Sequence, residues 1–220
     1  MSRSELDHLV IGCANLDAGS DWVEQTLGVR PVPGGQHAAM GTHNALLILG
    51  PRAYLEVIAI DPEAAAPPHP RWFALDEPEM QARLAQSPAL ITWVVRTDSL
   101  ATACARVPDL GEMLTMSRND FRWKIAVPES GALPWGGVLP AAIEWLAGDD
   151  GVARHPCDSL PASGCELVGL QLSHPAAVLG TSGIVALFRD LRILGPVDLK
   201  PGPRALAATI RTPGGERVLG

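Results

Sequence analysis

Two short apolar runs near the start of the chain each carry a polar side chain in their middle. Leu6-Asp7-His8-Leu9-Val10-Ile11-Gly12 and Ala53-Tyr54-Leu55-Glu56-Val57-Ile58-Ala59 are rich in aliphatic residues and bounded by Gly, Pro and Asp, so they read as buried strands. Period-two alternation groups His8 with Leu6 and Val10, and Glu56 with Tyr54 and Ile58. An ionised carboxylate among apolar side chains needs an ion partner, hydrogen bonds or a metal. His8 is one candidate partner for Glu56. Between these runs, Asn15 or Asp17 caps a helix carrying Trp22, Val23 and Leu27 that ends at Gly28. A Pro- and Gly-punctuated segment from Arg30 to Met40, a run from Asn44 to Leu49 and a tight Gly50-Pro51-Arg52 turn complete a βαβββ order.

The order then recurs. After a Pro- and Ala-rich linker, Asp61 to Arg71, and a short helix over Glu77 to Ala85, a strand runs from Leu90 to Val95. Asp98 or Ser99 caps a helix to Arg106, and strand-like runs follow at Glu112 to Met116, Phe121 to Val127 and Ala141 to Leu146. Matching the two copies by count sets Thr92 opposite His8, and Glu144 ends the second copy as Glu56 ends the first. A third, shorter β-α-β-β pattern spans Leu167 to Ser173, a helix from about Ala176 to Arg189, Pro196 to Lys200, and Ala205 to Arg211. Its Gly169 stands where a ligand would be, so this block is expected to carry no metal chemistry. The divisions are 1–61 for the first module, 62–87 for the linker and helix, 88–157 for the second module and 158–220 for a partial module packed on the others.

With 220 residues, 47% of them hydrophobic, the chain buries a sizeable core. A formal net charge of -7 argues against non-specific binding to nucleic acid or anionic membranes. No stretch approaches the roughly 20 apolar residues that span a bilayer, and the first residues lack a signal-peptide core, so a cytoplasmic location is expected. Cys13, Cys104, Cys157 and Cys165 form no CxxC pair and read as structural thiols. Dinucleotide, phosphate-loop, serine-elbow and HExxH motifs are absent.

The Leu-Asp-His-Leu-Val opening, Gly41-Thr42-His43-Asn44-Ala45-Leu46-Leu47, the Tyr54 to Ala59 strand and Leu133-Pro134-Trp135-Gly136-Gly137 together resemble glyoxalase-like proteins of the vicinal oxygen chelate superfamily. The resemblance is good over residues 5–61, fair over 88–157 and thin beyond. It implies an α+β fold in which paired βαβββ modules curl mixed sheets into a cup, as in glyoxalase and dihydroxybiphenyl dioxygenase, here with a C-terminal β-α-β-β extension. In that family a divalent metal sits between the cups, held by the first and last strands of each module. Carried over, His8 and Glu56 match the first module's ligands and Glu144 the second module's last. Thr92 does not match, because a neutral hydroxyl is a poor ligand for Mn, Fe, Ni or Zn, the ions that one imidazole and two carboxylates suit.

Two functional readings stay open. One is a metal-dependent isomerase, lyase or dioxygenase acting on a molecule with vicinal oxygens, with the metal as Lewis acid. The other is a metal-free protein that binds or sequesters a small molecule in the same cup. Asn44, Thr92, Trp123, Lys124 and Trp135 are the candidate pocket residues. His8 also suits a core histidine bonded to a carbonyl, and Glu56 and Glu144 suit pairing with Arg52, Arg122 or Lys124. Arg122 and Lys124 alternate with Phe121 and Trp123, so they either draw an anion into the cup or solvate its outside. His37 and His43 flank a Gly turn as possible ligands; His69, His155 and His174 beside Pro read as structural or solvent-facing. Open sheet edges suggest a homodimer.

Overall fold

The structure is a computed structural model that describes residues 3–178 and 183–220. Strand β1 (Ser4–Gly12) leads into helix α1 (Leu16–Leu27) and strands β2 (Val32–His37), β3 (Thr42–Ile48) and β4 (Tyr54–Ile60). After helix α2 (Pro78–Gln86) the order repeats as β5 (Ala89–Thr97), α3 (Leu100–Arg106), β6 (Glu112–Arg118), β7 (Phe121–Val127) and β8 (Ala141–Trp145). The C-terminal part holds β9 (Glu166–His174), α4 (Ile184–Leu191), β10 (Ile193–Leu194), β11 (Val197–Pro201), β12 (Ala205–Thr212) and β13 (Gly215–Leu219). The helix expected from about Ala176 to Arg189 crosses residues 179–182, which lie outside the described residues. The short strands β10 and β13 add to the expected β-α-β-β pattern.

Local chemistry starts and stops the helices where the sequence suggests. The Asn15 side chain accepts from the Ala18 N–H, and Gly28 takes the left-handed conformation, φ 77°, in which its N–H closes on the Glu24 carbonyl. Ser99 caps α3 in the same way, through the Thr102 N–H.

Among the described residues the strands form two sheets. The larger runs β2-β3-β4-β1-β5-β8-β7-β6, with β10 beside the start of β1. Its two βαβββ halves meet at the antiparallel β1/β5 seam, where His8 stands opposite Val94. The sheet curls until the two ends of the strand order approach, so that Arg118 on β6 hydrogen-bonds Asn44 on β3. The outer face packs Leu9, Ile11, Val57, Trp93 and Val95 against α1, α3 and the extension, whose own sheet runs β11-β9-β12-β13. The inner, concave face carries Val10, Ile58, Val94, Trp123, Ile125 and Ile143, and is covered by Trp72 and Phe73 from the segment before α2. No helix among the described residues is long and apolar enough to cross a membrane.

The approach of α1 to the sheet sets a steric test. A Cβ on Gly19 would lie 2.5 Å from Cys13 Sγ and 2.8 Å from Val57 Cγ1, both on buried residues. Alanine favours an exposed helix interior by up to about 1 kcal/mol over glycine, whereas overpacking a buried contact costs about 1–3 kcal/mol. Gly19→Ala is therefore expected to lower the urea midpoint, and a midpoint at or above that of the parent would show that α1 shifts freely.

Candidate functional site

The site is built outward from a bulge in β1. Pairing with β5 passes from Leu6 opposite Val95 to His8 opposite Val94, which leaves Asp7 out of the ladder and free to turn its side chain inward. Asp7 is 0% exposed. Its Oδ1 accepts from His8 Nδ1 at 2.7 Å, and its Oδ2 accepts from Trp145 Nε1 and His155 Nε2, each at 3.0 Å. His155 Nδ1 in turn accepts the Cys157 N–H at 3.2 Å, so the imidazole proton sits on Nε2. Burial works to raise the Asp7 pKa, but the hydrogen bonds from His155 and His8 outweigh it and hold the carboxyl well below the usual carboxylate range.

With Nδ1 committed to Asp7, His8 turns Nε2 toward the cup, 3.6 Å from Glu56 Oε2. Tyr54 stacks on the ring at 4.5 Å between centroids and fixes its plane. Burial, with the negative charges of Asp7 and Glu56 adding to it, pushes the Tyr54 phenol well above its ordinary pKa and keeps it neutral. Glu56 Oε1 accepts from Asn44 Nδ2 at 2.6 Å, and Asn44 Oδ1 accepts from the Gly35 N–H at 2.9 Å and Arg118 Nη1 at 3.1 Å. His37 closes the network. Burial lowers its pKa to about 4, so it is neutral at pH 7, accepts from Arg118 Nη1 through Nε2 at 3.3 Å and donates from Nδ1 to Thr42 Oγ1 at 3.2 Å.

His8, His37, Asn44, Tyr54, Glu56 and Arg118 line one wall of a cavity of about 30 Å³ whose other walls are Trp72, Phe73, Trp123, Ile143 and Trp145. That volume has room for one or two waters. A larger cavity of about 380 Å³ lies at the seam with the extension, walled by Leu49, Pro51, Leu167 and Pro196. The basic side chains there are already paired, Arg96 with Glu5 and Arg52 with Asp158, so the chemistry concentrates in the smaller one.

Of the residues expected from sequence, the structure brings His8, Glu56, Asn44 and Trp123 together and separates the rest. Glu144 faces the other way: Ile143 and Trp145 point into the cup, and the Glu144 carboxylate caps α3 by accepting the Leu100 N–H at 2.8 Å. Lys124, directly opposite Glu144, shares that outer face, and Arg122 beside it pairs with Asp149. Thr92 is buried and donates to the Gly137 carbonyl, and Trp135 bonds Asp109 outside the cup. Counting back from the helix caps mismatched the halves because the stretch from His8 to the Asn15 cap is two residues longer than that from Val94 to the Ser99 cap. Strand pairing gives the counterparts directly. His8 faces Tyr54 on β4 and Val94 faces Ala141 on β8, so Val94 corresponds to His8, and Ile143, two residues on, to Glu56.

The expected four-cornered metal seat is therefore half apolar. His8 and Glu56 supply two donors, Val94 and Ile143 supply none, and the Arg118 cation stands by the same cavity. Catalytic zinc sites use three protein ligands. Among the described residues no three His, Cys, Asp or Glu side chains group closely enough to hold a metal ion. The donor set does not fit the resident ion that the resemblance implies.

Four residues of the site escaped the sequence reading: Asp7, Arg118 and His155 in the hydrogen-bond network, and Trp72 in the cavity wall. Asp7 had a signal, since a carboxylate inside an apolar run and next to His8 is subject to the same burial argument as Glu56. The others act across long sequence separations.

A family model described as a glyoxalase-like domain matches residues 6–186. The chain belongs to the glyoxalase-like family. Among solved structures, a hypothetical protein from Staphylococcus aureus superposes with a TM-score of 0.56 at 11% identity, covering 90% of this chain and 86% of that one, which shows the shared fold alone. Methylmalonyl-CoA epimerase from Mycobacterium tuberculosis is 21% identical, covers 63% of this chain and 86% of its own, and has a TM-score of 0.41. A methylmalonyl-CoA epimerase in complex with methylmalonyl-CoA is 16% identical over 69% of this chain and 99% of its own, with a TM-score of 0.43. Those last two scores are too low to carry an argument. No curated protein matches the chain.

The buried, neutral His37 couples this site to stability. Its folded pKa of about 4 lies below the ordinary histidine value of 6.5, so the unfolded chain takes up the proton first as pH falls. Its stabilising contribution is complete above pH 6.5 and is lost between 6.5 and about 4, on the order of 3 kcal/mol. Urea unfolding of the parent is expected to show a steeper fall in stability over that window than His37→Gln; equal slopes would count against a neutral His37.

Proposed function

We propose that the cup binds a small molecule with neighbouring oxygens and that His8 and Glu56 move a proton on it, without a resident metal. The observation that carries this reading is the pair itself: His8 Nε2 and Glu56 Oε2, 3.6 Å apart, face one cavity, each fixed from behind by a buried hydrogen bond. A general base must be positioned within hydrogen-bond reach of the proton it takes. Glu56, anchored through Oε1, presents Oε2 to a C–H beside a carbonyl. The proton passes to Glu56 and the C–H electron pair moves onto the carbonyl as an enolate; return of the proton to the same carbon gives exchange or an epimer, and where that carbon bears a hydroxyl, transfer of the hydroxyl proton to the enolate oxygen lets the proton return to the former carbonyl carbon and yield an isomer. His8, whose tautomer Asp7 sets, exchanges the proton with Glu56 or delivers it to the enolate oxygen. The neutral donors and the Arg118 cation around this wall favour the negative charge that develops.

Proton NMR in D2O, with a panel of 2-oxo acids and hydroxy ketones including pyruvate and hydroxyacetone, tests the reading. Enzyme-dependent loss of the proton next to the carbonyl is expected, with a drop of about 100-fold or more in Glu56→Gln and a comparable loss in His8→Gln. Compounds that bind but exchange no faster than in buffer would leave the cup as a binding site only. Metal content of untagged protein is the companion measurement. Stoichiometric Mn, Fe, Ni or Zn that disappears from the His8→Ala, Glu56→Ala double variant would overturn the metal-free part.

A further inference from the structure

Trp72 lines the cup and is 3% exposed, yet its indole Nε1 is the one buried side-chain nitrogen or oxygen without a hydrogen-bond partner among the described residues. A buried donor left unpaired forfeits the hydrogen bond it made to water in the unfolded chain, so the fold holds this N–H in place at a penalty. Arg118, on the same cavity, lies over the Phe121 ring at 6.0 Å but, among the described residues, has no carboxylate paired with it to balance its charge. Its Nη1 donates to the neutral acceptors Asn44 Oδ1 and His37 Nε2, and among the described residues it belongs to no ion pair with a carboxylate. His37 joins the two groups: Trp72 meets its ring edge-on at 4.9 Å, and Arg118 bonds its Nε2.

From this juxtaposition we propose that Trp72 Nε1–H and the Arg118 guanidinium form a clamp for a carboxylate group, so that the small molecule bound in the cup is an organic acid. The clamp rests on the reading of the cup as a small-molecule site and adds the class of ligand. An anion brings acceptor lone pairs to both donors and a charge to the unpaired guanidinium, and charge-assisted hydrogen bonds of this kind are the strong ones. A neutral ketone satisfies one donor and leaves the cation uncompensated. The Glu56 carboxylate on the same wall repels a second anion, so the carboxylate seats toward Trp72 and Arg118 and the rest of the acid is directed at the His8 and Glu56 pair. With room for one or two waters, the cavity accepts a carboxylate in their place, while Arg118 and Phe121, both part-exposed, border the way out for the remainder.

The experiment is titration of 15N-labelled protein with acetate and, separately, with its neutral isostere acetamide at matched ionic strength, following the six indole N–H resonances. Trp72→Phe assigns the Trp72 signal. Acetate is expected to move that signal downfield and saturably, acetamide to leave it unmoved, and Arg118→Gln to weaken acetate binding by about tenfold or more. A Trp72 signal unmoved by acetate, or moved equally by acetamide, overturns the clamp. The outcome separates from that of the proton-transfer reading. A saturable Trp72 shift without exchange into any compound supports the clamp and sinks that reading, whereas exchange into acids and hydroxy ketones alike with a static Trp72 signal does the reverse.

Discussion

The arrangement of the cup depends on one buried charge. Removing a carboxylate from water costs several kcal/mol even after relaxation, and Asp7 is tolerated because its two oxygens take three donors from three separate parts of the chain. Those donors are His8 on β1, Trp145 at the end of β8 and His155 on the loop toward the extension. One side chain thereby ties both modules to the segment that follows them. It also decides the chemistry one bond further out, because holding the His8 proton on Nδ1 is what leaves Nε2 to face Glu56. The β1 bulge is the geometric condition for all of this, since an unbroken alternation would direct Asp7 to the face opposite His8.

The two modules share a topology but divide the labour. Strand pairing relates His8 to Val94, Glu56 to Ile143, Asn44 to Trp123 and His37 to Arg118. The first member of each pair is polar; three of the second are apolar and one is a cation. A symmetric seat that would surround an ion with donors on four sides thus becomes a cup with a hydrogen-bonding wall and a hydrophobic wall. Such a surface orients a molecule that has one polar and one apolar end. The exception, Arg118, sits where the ends of the curled sheet meet, so the same hydrogen bonds that close the cup also bring its cation to the polar wall.

What could be read from the chain followed the range of the interactions. The paired modules and the positions of His8 and Glu56 were legible because strand periodicity is local and both residues interrupt apolar runs. The second module was less so. Thr92 was matched by counting from the helix caps and Glu144 by its place at the end of the second copy, neither of which follows strand pairing, and the true counterparts Val94 and Ile143 bear no chemical mark that distinguishes them from ordinary core residues. His155 stands beside Pro156 in a stretch that reads as exposed loop, and its bond to Asp7, 148 residues away, with the Tyr54 and Trp145 rings packed against it, accounts for its burial. Trp72 and Phe73 follow a Pro-rich linker and look like surface until the fold lays them over the cup.

That inserted segment, rather than any strand, sets the size of the site. Phe73 and Ala74 both adopt positive φ, 59° and 58°, a conformation that costs side-chain-bearing residues on the order of 1–3 kcal/mol each. They are held there by the Ala74 N–H on the Gly131 carbonyl, by Arg71 bridging Asp76 and the Gly41 carbonyl, and by the stacked, buried Trp72 and Phe73 rings. The strain is sustained for a result, which is that two aromatic side chains fill the concave face and leave only about 30 Å³ beside the polar wall. Strand residues therefore determine which groups meet a ligand, and the insertion determines how much of the ligand can enter. A molecule bulky at its polar end has to displace Trp72 and Phe73 together with the backbone turn that holds them, whereas one with a compact polar end needs only the part-exposed side chains at the mouth to move.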